Sequence, residues 1–485
     1  MGTFPAPVYA QTVLAHNFHD AQRYFLDALL EIHTAHTLML ARQGIIPVES
    51  ARACLAALNK LDREELRTAE YDGRYEDLFF FIESKLEALA PGDAGRMHTA
   101  RSRNDICIAL YRMCLRREAL EILRAVVELR ARLLQLAREH AADLMPAYTH
   151  TQPAQPTTLG HYLMAYVEVL GRDEGRLRAS FATINRSPLG ACAITTTAFP
   201  IDRDYIAGLL GFEGLQLNSY GAIGATDYLT ELAGAVAIAV GSLGKFTQDL
   251  LLWCNPTLGM LRLSDAWVQI SSIMPQKRNP VPLEHTRILA SRAMAEAQGV
   301  FTCVHNTPFG DINDSEDDIQ PLVFTMAGSA RRALSLLTGI LAGAEFQTAR
   351  MAELAEADFL TVTELADTLV RGEQISFHDA HHLVSAAVKA LAGRYSVGAM
   401  AAATAELATS VLGRPLHMGM DELEAALDAR AFVNARTIPG GPGPSALNAA
   451  MNEAETGLAL TRAWLAGKDA LLAGYELALV ETLPE

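Results

Sequence analysis

Apolar residues recur at mixed three- and four-residue spacing over unusually long stretches of this chain, and that spacing predicts long helices. From Arg103 to about His140, the positions Ile106, Leu110, Met113, Leu120, Leu123, Val127, Leu134 and Leu136 keep the period with no internal Gly or Pro. Such a helix would be roughly 55 Å long at ~1.5 Å per residue. Comparable stretches run from Thr158 to about Thr183, from Gly224 to Trp253, from about Val281 to His305 and from Ile319 to about Ala344. In the third stretch Leu232, Val236, Ile238, Val240, Leu243, Phe246 and Leu250 wrap most of the helix surface, as in a helix buried on several sides. Helices of this kind need partners all round, which predicts an all-α fold with a multi-helix bundle continuing across subunits. Breaks fall at Pro91-Gly92, Pro146, Pro188-Leu189-Gly190 and Pro256, and a Gly/Pro cluster from Pro439 to Pro444 opens the last loop, after which Ser445 is placed to cap a terminal helix. Strand signal is weak throughout, and there is no tandem repeat or low-complexity tract.

Composition narrows the classes. A chain of 485 residues, 50% hydrophobic and 20% charged, can bury a large core in more than one domain. A formal charge of −16 argues against a nucleic-acid partner and requires that an anionic substrate be drawn by a local cationic site, for which Arg101, Arg103, Lys277 and Arg278 are available. The six cysteines are scattered with no CxxC pair, which disfavours a zinc site or disulfide framework and favours a reducing cytoplasm. The first twenty residues given lack a basic start followed by an apolar run, so no secretory signal is expected. The apolar stretch from Leu229 to Trp253 carries Glu231, Lys245 and Asp249, so it is read as a buried core helix and not as a membrane span.

The chemistry concentrates in Ser271-Ser272-Ile273-Met274-Pro275-Gln276-Lys277-Arg278-Asn279-Pro280, two hydroxyls, a lysine and an asparagine in a Pro-broken loop. Such a loop suits anion binding and proton movement, although taken alone it also reads as a polar surface turn. The pattern SSxMPxKxNP resembles the signature of the fumarase/aspartase superfamily, whose members make or break a C–N or C–O bond beta to a carboxylate and usually release fumarate. Two further segments are similar to motifs of its argininosuccinate lyase branch. Met97 to Asp105 resembles HTGRSRND, and Tyr148 to Thr157 resembles YTHxQxAQP. With the segment Ala35 to Ile46, the resemblance covers most of the first 345 residues.

The resemblance implies three mostly helical domains, here residues 1–98, 99–347 and 348–485, with a central bundle forming a homotetramer whose active sites each gather motifs from three subunits. It matches Ser271 to the general base, His150 to the residue that protonates the departing nitrogen, Glu284 to the carboxylate orienting that histidine, and Lys277 to a cation supporting the serine alkoxide. Ser102, Arg103, Asn104, Thr149, Gln152, Ser272 and Asn279 match substrate-binding positions around the fumarate moiety. Arg101 is open between a substrate contact and a bundle salt bridge. Beta-elimination demands such a set, because a weakly acidic C–H must lose its proton while the developing charge spreads over a carboxylate held by several donors. No metal or cofactor is required.

On the leaving-group side the sequence departs from argininosuccinate lyase. The EDxHxxIE motif becomes Glu76 to Glu83, with Phe79 in place of its histidine and Phe81 in place of a frequent asparagine. The serine of SxAH becomes His33, and YNRDLQEDK becomes Asp311 to Ile319, bringing Asp311 and Glu316 where Tyr and Gln-type contacts stood. DAxSxRD becomes Gly221 to Asp227, losing its serine and arginine. The expectation is a C–N lyase acting reversibly on an N-substituted aspartate, with His33, Phe79, Asp311 and Glu316 forming a leaving-group pocket for an amine other than arginine that is cationic or carries an apolar body. A genuine argininosuccinate lyase with drifted contacts, a sister reaction on adenylosuccinate, malate, aspartate or a carboxymuconate lactone, and a non-catalytic crystallin-like protein on the same scaffold are the alternatives.

Overall fold

A computed structural model describes residues 4–479. Its principal helices are α1 (Leu26–Arg42), α2 (Leu78–Leu89), α3 (Arg103–Glu139), α4 (Leu159–Ile184), α5 (Asp227–Trp253), α6 (Val281–Val304), α7 (Gln320–Ala342), α8 (Val362–Glu373), α9 (Phe377–Leu391), α10 (Val397–Leu412) and α11 (Pro444–Ala478). The five expected long helices are all present, with boundaries within a few residues. α3 to α7 form the central bundle, in which α3 packs on α4 and α7, α5 on α4 and α6, and α6 on α7. α5 is long and apolar enough to cross a membrane by length and composition; α4, α6 and α7 bury about half of it, and Ile238 and Leu252 stay exposed in the single chain.

One continuous apolar core runs from Phe18 through the bundle to Met351 and takes in Leu447, Leu458 and Tyr475 of α11, so the last helix returns to pack on α3 and α4. A second core, built from Leu365, Leu369, Leu383, Met400 and Leu423, belongs to the region around α8, α9 and α10.

Three details of the sequence reading need correction. Strands are present, in three two-stranded sheets. β1 (Leu144–Thr149) pairs antiparallel with β2 (Gln152–Thr158), so Pro146 lies within a strand and does not mark a loop. A two-stranded ribbon has only edges, and the missing N–H of a proline can face outward there. The other two sheets pair β3 (Leu261–Leu263) with β6 (Ala344–Phe346), and β4 (Gln269–Ile270) with β5 (Arg278–Asn279). Second, α5 begins at Asp227; a separate short helix, Ser219–Gly224, precedes it and the chain turns extended at Ala225, while Gly224 approaches the Gly310 amide so closely that a Cβ would sit 2.9 Å from it. Third, Ser445 lies inside the first turn of α11, behind Pro444 at its first position, where the absent N–H costs nothing.

The hairpin is anchored at the far end of α3. Leu159 N–H donates to Asp143 O at 2.9 Å and Gly160 N–H to His140 O at 3.0 Å. Any side chain on Gly160 would meet Ala137 O at 2.6 Å, so glycine lets the start of α4 abut the end of α3.

Candidate active site

The loop between β4 and β5 is a small closed hairpin. Gln269 pairs with Asn279 and Ile270 with Arg278, and Lys277 N–H donates to Met274 O at 3.0 Å. Within it the Ser271 hydroxyl oxygen accepts N–H groups from Met274 at 3.0 Å and Ile273 at 3.3 Å. Two amide dipoles aimed at one hydroxyl oxygen favour negative charge on it. Arg278, itself exposed, bonds Asp265 at 2.6 Å and Leu263 O at 2.8 Å, and so anchors the loop. Lys277 and Ser272 are exposed, as is Glu284 in the first turn of α6. Ile273, at 82% exposure, and Ile270, at 79%, stand fully in solvent in the single chain. Apolar side chains left so open on a motif loop need a covering surface.

His150 sits at the tip of the β1–β2 hairpin with Thr151, both in the left-handed region at φ 49° and 63°. Two positive φ values are what a tight hairpin turn demands, usually of Asn or Gly. Holding His and Thr there costs roughly 1 kcal/mol or more each, a cost that clusters at functional turns. Thr149 and Gln152 flank the tip as a strand pair and are likewise exposed. Among the described residues no hydrogen bond or ion pair joins Glu284 to His150.

Ser102, Arg103 and Asn104 lie at the opposite end of α3. Ser102 is the N-cap; its amide donates to Asp105 Oδ1 at 2.9 Å and its hydroxyl donates to Asn104 Oδ1 at 2.7 Å. Asp105, buried, also accepts from the Gly190 and Cys192 amides at 2.9 and 3.2 Å, fixing the start of the helix. Arg103 bonds Asp77 at 2.6 Å and Glu76 at 3.1 Å, and its guanidinium lies 4.8 Å from the Phe80 ring centre.

Two of the replaced residues of the leaving-group side, Asp311 and Glu316, gather near this arginine. Burial, then the neighbouring carboxyls of Asp311 and Asp317, push Glu316 up to about 9, against the opposing pull of Arg103. Asp317 is also raised, first by burial, and accepts from the Tyr111 hydroxyl. Arg103, Cys107 and Tyr111, spaced four residues apart, form one face of α3 toward this acidic segment. Burial and then Asp317 hold the Cys107 thiol well above its usual range. Beside the cluster lies a cavity of about 620 Å³ whose walls include Tyr75, Glu76, Phe80, Glu83 and His98. Sequence reasoning missed Tyr111, Asp317 and Cys107; the i, i+4, i+8 spacing from Arg103 was the available signal.

His33 and Phe79 prove to be buried, at 0% and 6% exposure, with ring centres 5.5 Å apart. Arg101, with a side chain only 1% exposed, donates to His33 Nδ1 at 2.9 Å and lies 3.9 Å from Glu83. Its even choice between substrate contact and ion pair therefore resolves toward the interior.

The candidate residues thus fall into two groups at opposite ends of one rod. α3 has 37 residues and is about 55 Å long. The loop of Ser271 belongs to its far end: Arg132 bonds Leu341 O at 3.0 Å, Ser264 N–H bonds Gly343 O at 3.2 Å, and the hairpin bearing His150 touches Met260 through Tyr148. Even a hairpin of about 20 Å folded back along α3 would leave roughly 35 Å between His150 and Ser102. No small molecule spans that distance, so both groups can meet one substrate only if different copies of the chain contribute them.

With this geometry in hand, comparisons with known proteins are informative. Residues 80–295 match the family described as Lyase, and residues 359–434 match the argininosuccinate lyase C-terminal family. The chain is 40% identical to argininosuccinate lyase 2 of Agrobacterium fabrum, with 92% of this chain and 90% of that protein covered. It is 38% identical to argininosuccinate lyase of Methanoculleus marisnigri, covering 95% and 94%. Among solved structures, EDDS lyase in complex with formate superposes with a TM-score of 0.84 at 31% identity, covering 95% of this chain and 94% of that one. An EDDS lyase variant with bound fumarate gives 0.85 at 30% identity, covering 97% and 95%.

Proposed function

The chain belongs to the argininosuccinate lyase family of the fumarase/aspartase superfamily, and we propose that it cleaves an N-substituted aspartate whose leaving amine is not arginine. It is a carbon–nitrogen lyase that releases fumarate. The observation that carries the finer reading is the acidic set Asp311, Glu316 and Asp317, with Glu76 and Asp77, gathered around Arg103. A carboxylate on the amino-acid end of argininosuccinate would be repelled there, whereas a cationic amine would relieve the crowding of carboxyls. Phe80 and Tyr75 in the adjoining cavity offer the amine's body apolar surface.

In the proposed reaction Ser271, ionised with help from the Ile273 and Met274 amides and the Lys277 charge, removes the proton from the carbon beside the distal carboxylate. The electron pair forms the new C=C bond as the C–N bond breaks, and its electrons leave on nitrogen, which takes a proton from His150; Glu284 orients that imidazole. Ser102, Arg103, Asn104, Thr149, Gln152, Ser272 and Asn279 hold the carboxylates, and donors of this kind stabilise the aci-carboxylate as it forms. The opposite-end placement of these groups supports a site shared between at least two copies, and the family resemblance extends this to a homotetramer with sites shared between three subunits. The domains proposed are residues 1–98, 99–347 and 348–485, with α11 of the last returning onto the central bundle, and a cytoplasmic location accords with six free cysteines.

The test runs the reaction in reverse, with purified protein, fumarate and a panel of amines and amino acids including arginine, following loss of fumarate absorbance, with Ser271→Ala as control. Addition of another amine and not arginine supports the reading. A genuine argininosuccinate lyase is the second reading, favoured by the curated names of the sequence relatives; addition of arginine alone would establish it and reduce the replaced residues to drift.

A further inference from the structure

The segment Thr99-Ala100-Arg101 that delivers Ser102, Arg103 and Asn104 is gripped from one side by two histidines on neighbouring turns of α1. His36 Nε2 donates to Thr99 O at 2.8 Å, and His33 Nδ1 accepts from Arg101 Nη1 at 2.9 Å. Between the two held residues Ala100 stands in the left-handed region at φ 60°, a conformation an alanine keeps only when its surroundings enforce it. Both rings are buried, at 0% and 3% exposure. Burial and the adjacent Arg101 charge hold His33 far below its ordinary range and His36 at about 3, so both are neutral and each keeps one donor and one acceptor nitrogen.

This arrangement is poor as mere packing. Arg101 is a buried cation whose Nε and Nη2 have no hydrogen-bond partner among the described residues, and His33 Nε2 has none there either. An apolar trio of similar volume would fill the same space without unsatisfied donors. What the polar version supplies is a fixed position for the backbone immediately before the α3 N-cap.

We propose that His33 and His36 are positioning residues which, through Arg101 and Thr99, set the placement of the Ser102–Asn104 turn and thereby the affinity for the fumarate carboxylate. Neither histidine touches substrate; His33 acts from behind Phe79, not as a lining residue of the leaving-group pocket. The inference rests on the proposed carboxylate-binding role of Ser102 to Asn104.

Fumarate itself is the probe, titrated calorimetrically into the full-length assembled protein, with thermal midpoint and size-exclusion profile measured alongside. His36→Gln keeps an N–H near the Nε2 position, whereas His36→Asn withdraws it by about one bond while staying polar. The expected result is a fumarate Kd about tenfold weaker or more for His36→Asn, near wild type for His36→Gln, with matching oligomeric profiles. Ser102→Ala is the reference. If it weakens fumarate and His36→Asn does not, or if Gln and Asn are equally impaired, the positioning role is overturned. If Ser102→Ala also leaves binding unchanged, the carboxylate-site reading itself fails and the inference falls with it. Should His36→Asn not assemble, the pair His33→Asn, which keeps an acceptor near Nδ1, and His33→Leu, which removes it, reads the same effect from the Arg101 side.

Discussion

Arg103 Nη1 lies 2.6 Å from Asp77 Oδ2, and the same guanidinium reaches Glu76 at 3.1 Å. The arginine proposed to grip the substrate is thus already engaged by two carboxylates of its own chain. Burial works against its charge, but those two acids outweigh it and raise its pKa. A substrate carboxylate must therefore compete for this guanidinium, and the affinity of the site depends on how loosely the resident acids hold it.

Glu76→Gln removes one competitor and leaves Asp77 free to cap α2 through the Phe80 amide. The variant should bind fumarate roughly two- to fivefold more tightly at low ionic strength, with the gain shrinking in ~0.5 M salt. Titration calorimetry at two salt concentrations checks both parts; unchanged affinity would mean Arg103 does not meet the carboxylate.

Ser271→Ala should lower turnover by roughly a thousandfold while fumarate binding changes less than about threefold. Steady-state rates and fumarate titration on the same preparation separate the two. A parallel loss of binding would make Ser271 a ligand and remove it as the base.

Glu316 sets a pH dependence of stability. In the folded chain it keeps its proton up to about 9, while an unfolded glutamate releases it near its ordinary value of 4.5. Between those values the native state binds more protons than the unfolded one, so stability falls as pH rises through this window. Thermal midpoints measured from about pH 5 to 9 should decline, and Glu316→Gln should flatten the slope and raise the midpoint at the alkaline end by a few degrees. A variant with the wild-type slope would locate the linkage elsewhere.

Phe79→His combined with Asp311→Tyr returns two leaving-group positions to the argininosuccinate lyase pattern. The double variant should gain argininosuccinate turnover, about tenfold or more, and lose rate with the native amine. Measuring kcat/KM on both substrates decides it; movement in neither would leave these positions without a specificity role.

Ser102→Ala and Ser271→Ala should each be inactive alone and active together. If one site takes these residues from different copies, random mixed assembly leaves about a quarter of the sites intact. Dissociating and reassembling an equimolar mixture should restore activity near that fraction, whereas no recovery would place both residues on the same copy at each site.

The long helices were legible because nothing in the stretch from Ile106 to Leu136 interrupts the apolar period, and side chains on such a rod report their burial directly through spacing. The β1–β2 hairpin was not, since Pro146, Pro153 and Pro156 read as breakers and no Asn-Gly turn marks the tip; His150 and Thr151 adopt positive φ against their own preference. The start of α5 was misjudged because Gly224 is helical by propensity of its neighbours, and its close approach to Gly310 is a tertiary fact. The residues Ser102 to Asn104, His150 and Ser271 could be singled out from motif wording, and the expected helix from Arg103 to His140 already parts Ser102 from His150, but the place of Ser271 could not be read, because it depends on which end of α3 its loop returns to. Asp317 and Tyr111 escaped notice for the same reason: their meeting bridges the start of the bundle to the turn before α7.

In the proposed assembly α3 carries the start of one site at Ser102 and the root of the hairpin for another at His140. Its residue count is therefore a spacing rule for the assembly. Removing one heptad would shorten the rod by about 10 Å and keep the buried face in near register, yet it would draw two separate catalytic centres out of alignment at once. Insertions and deletions should consequently be far less tolerated within this helix than in the loops at either tip, and any strain transmitted along it reaches a neighbouring centre without passing through a subunit interface.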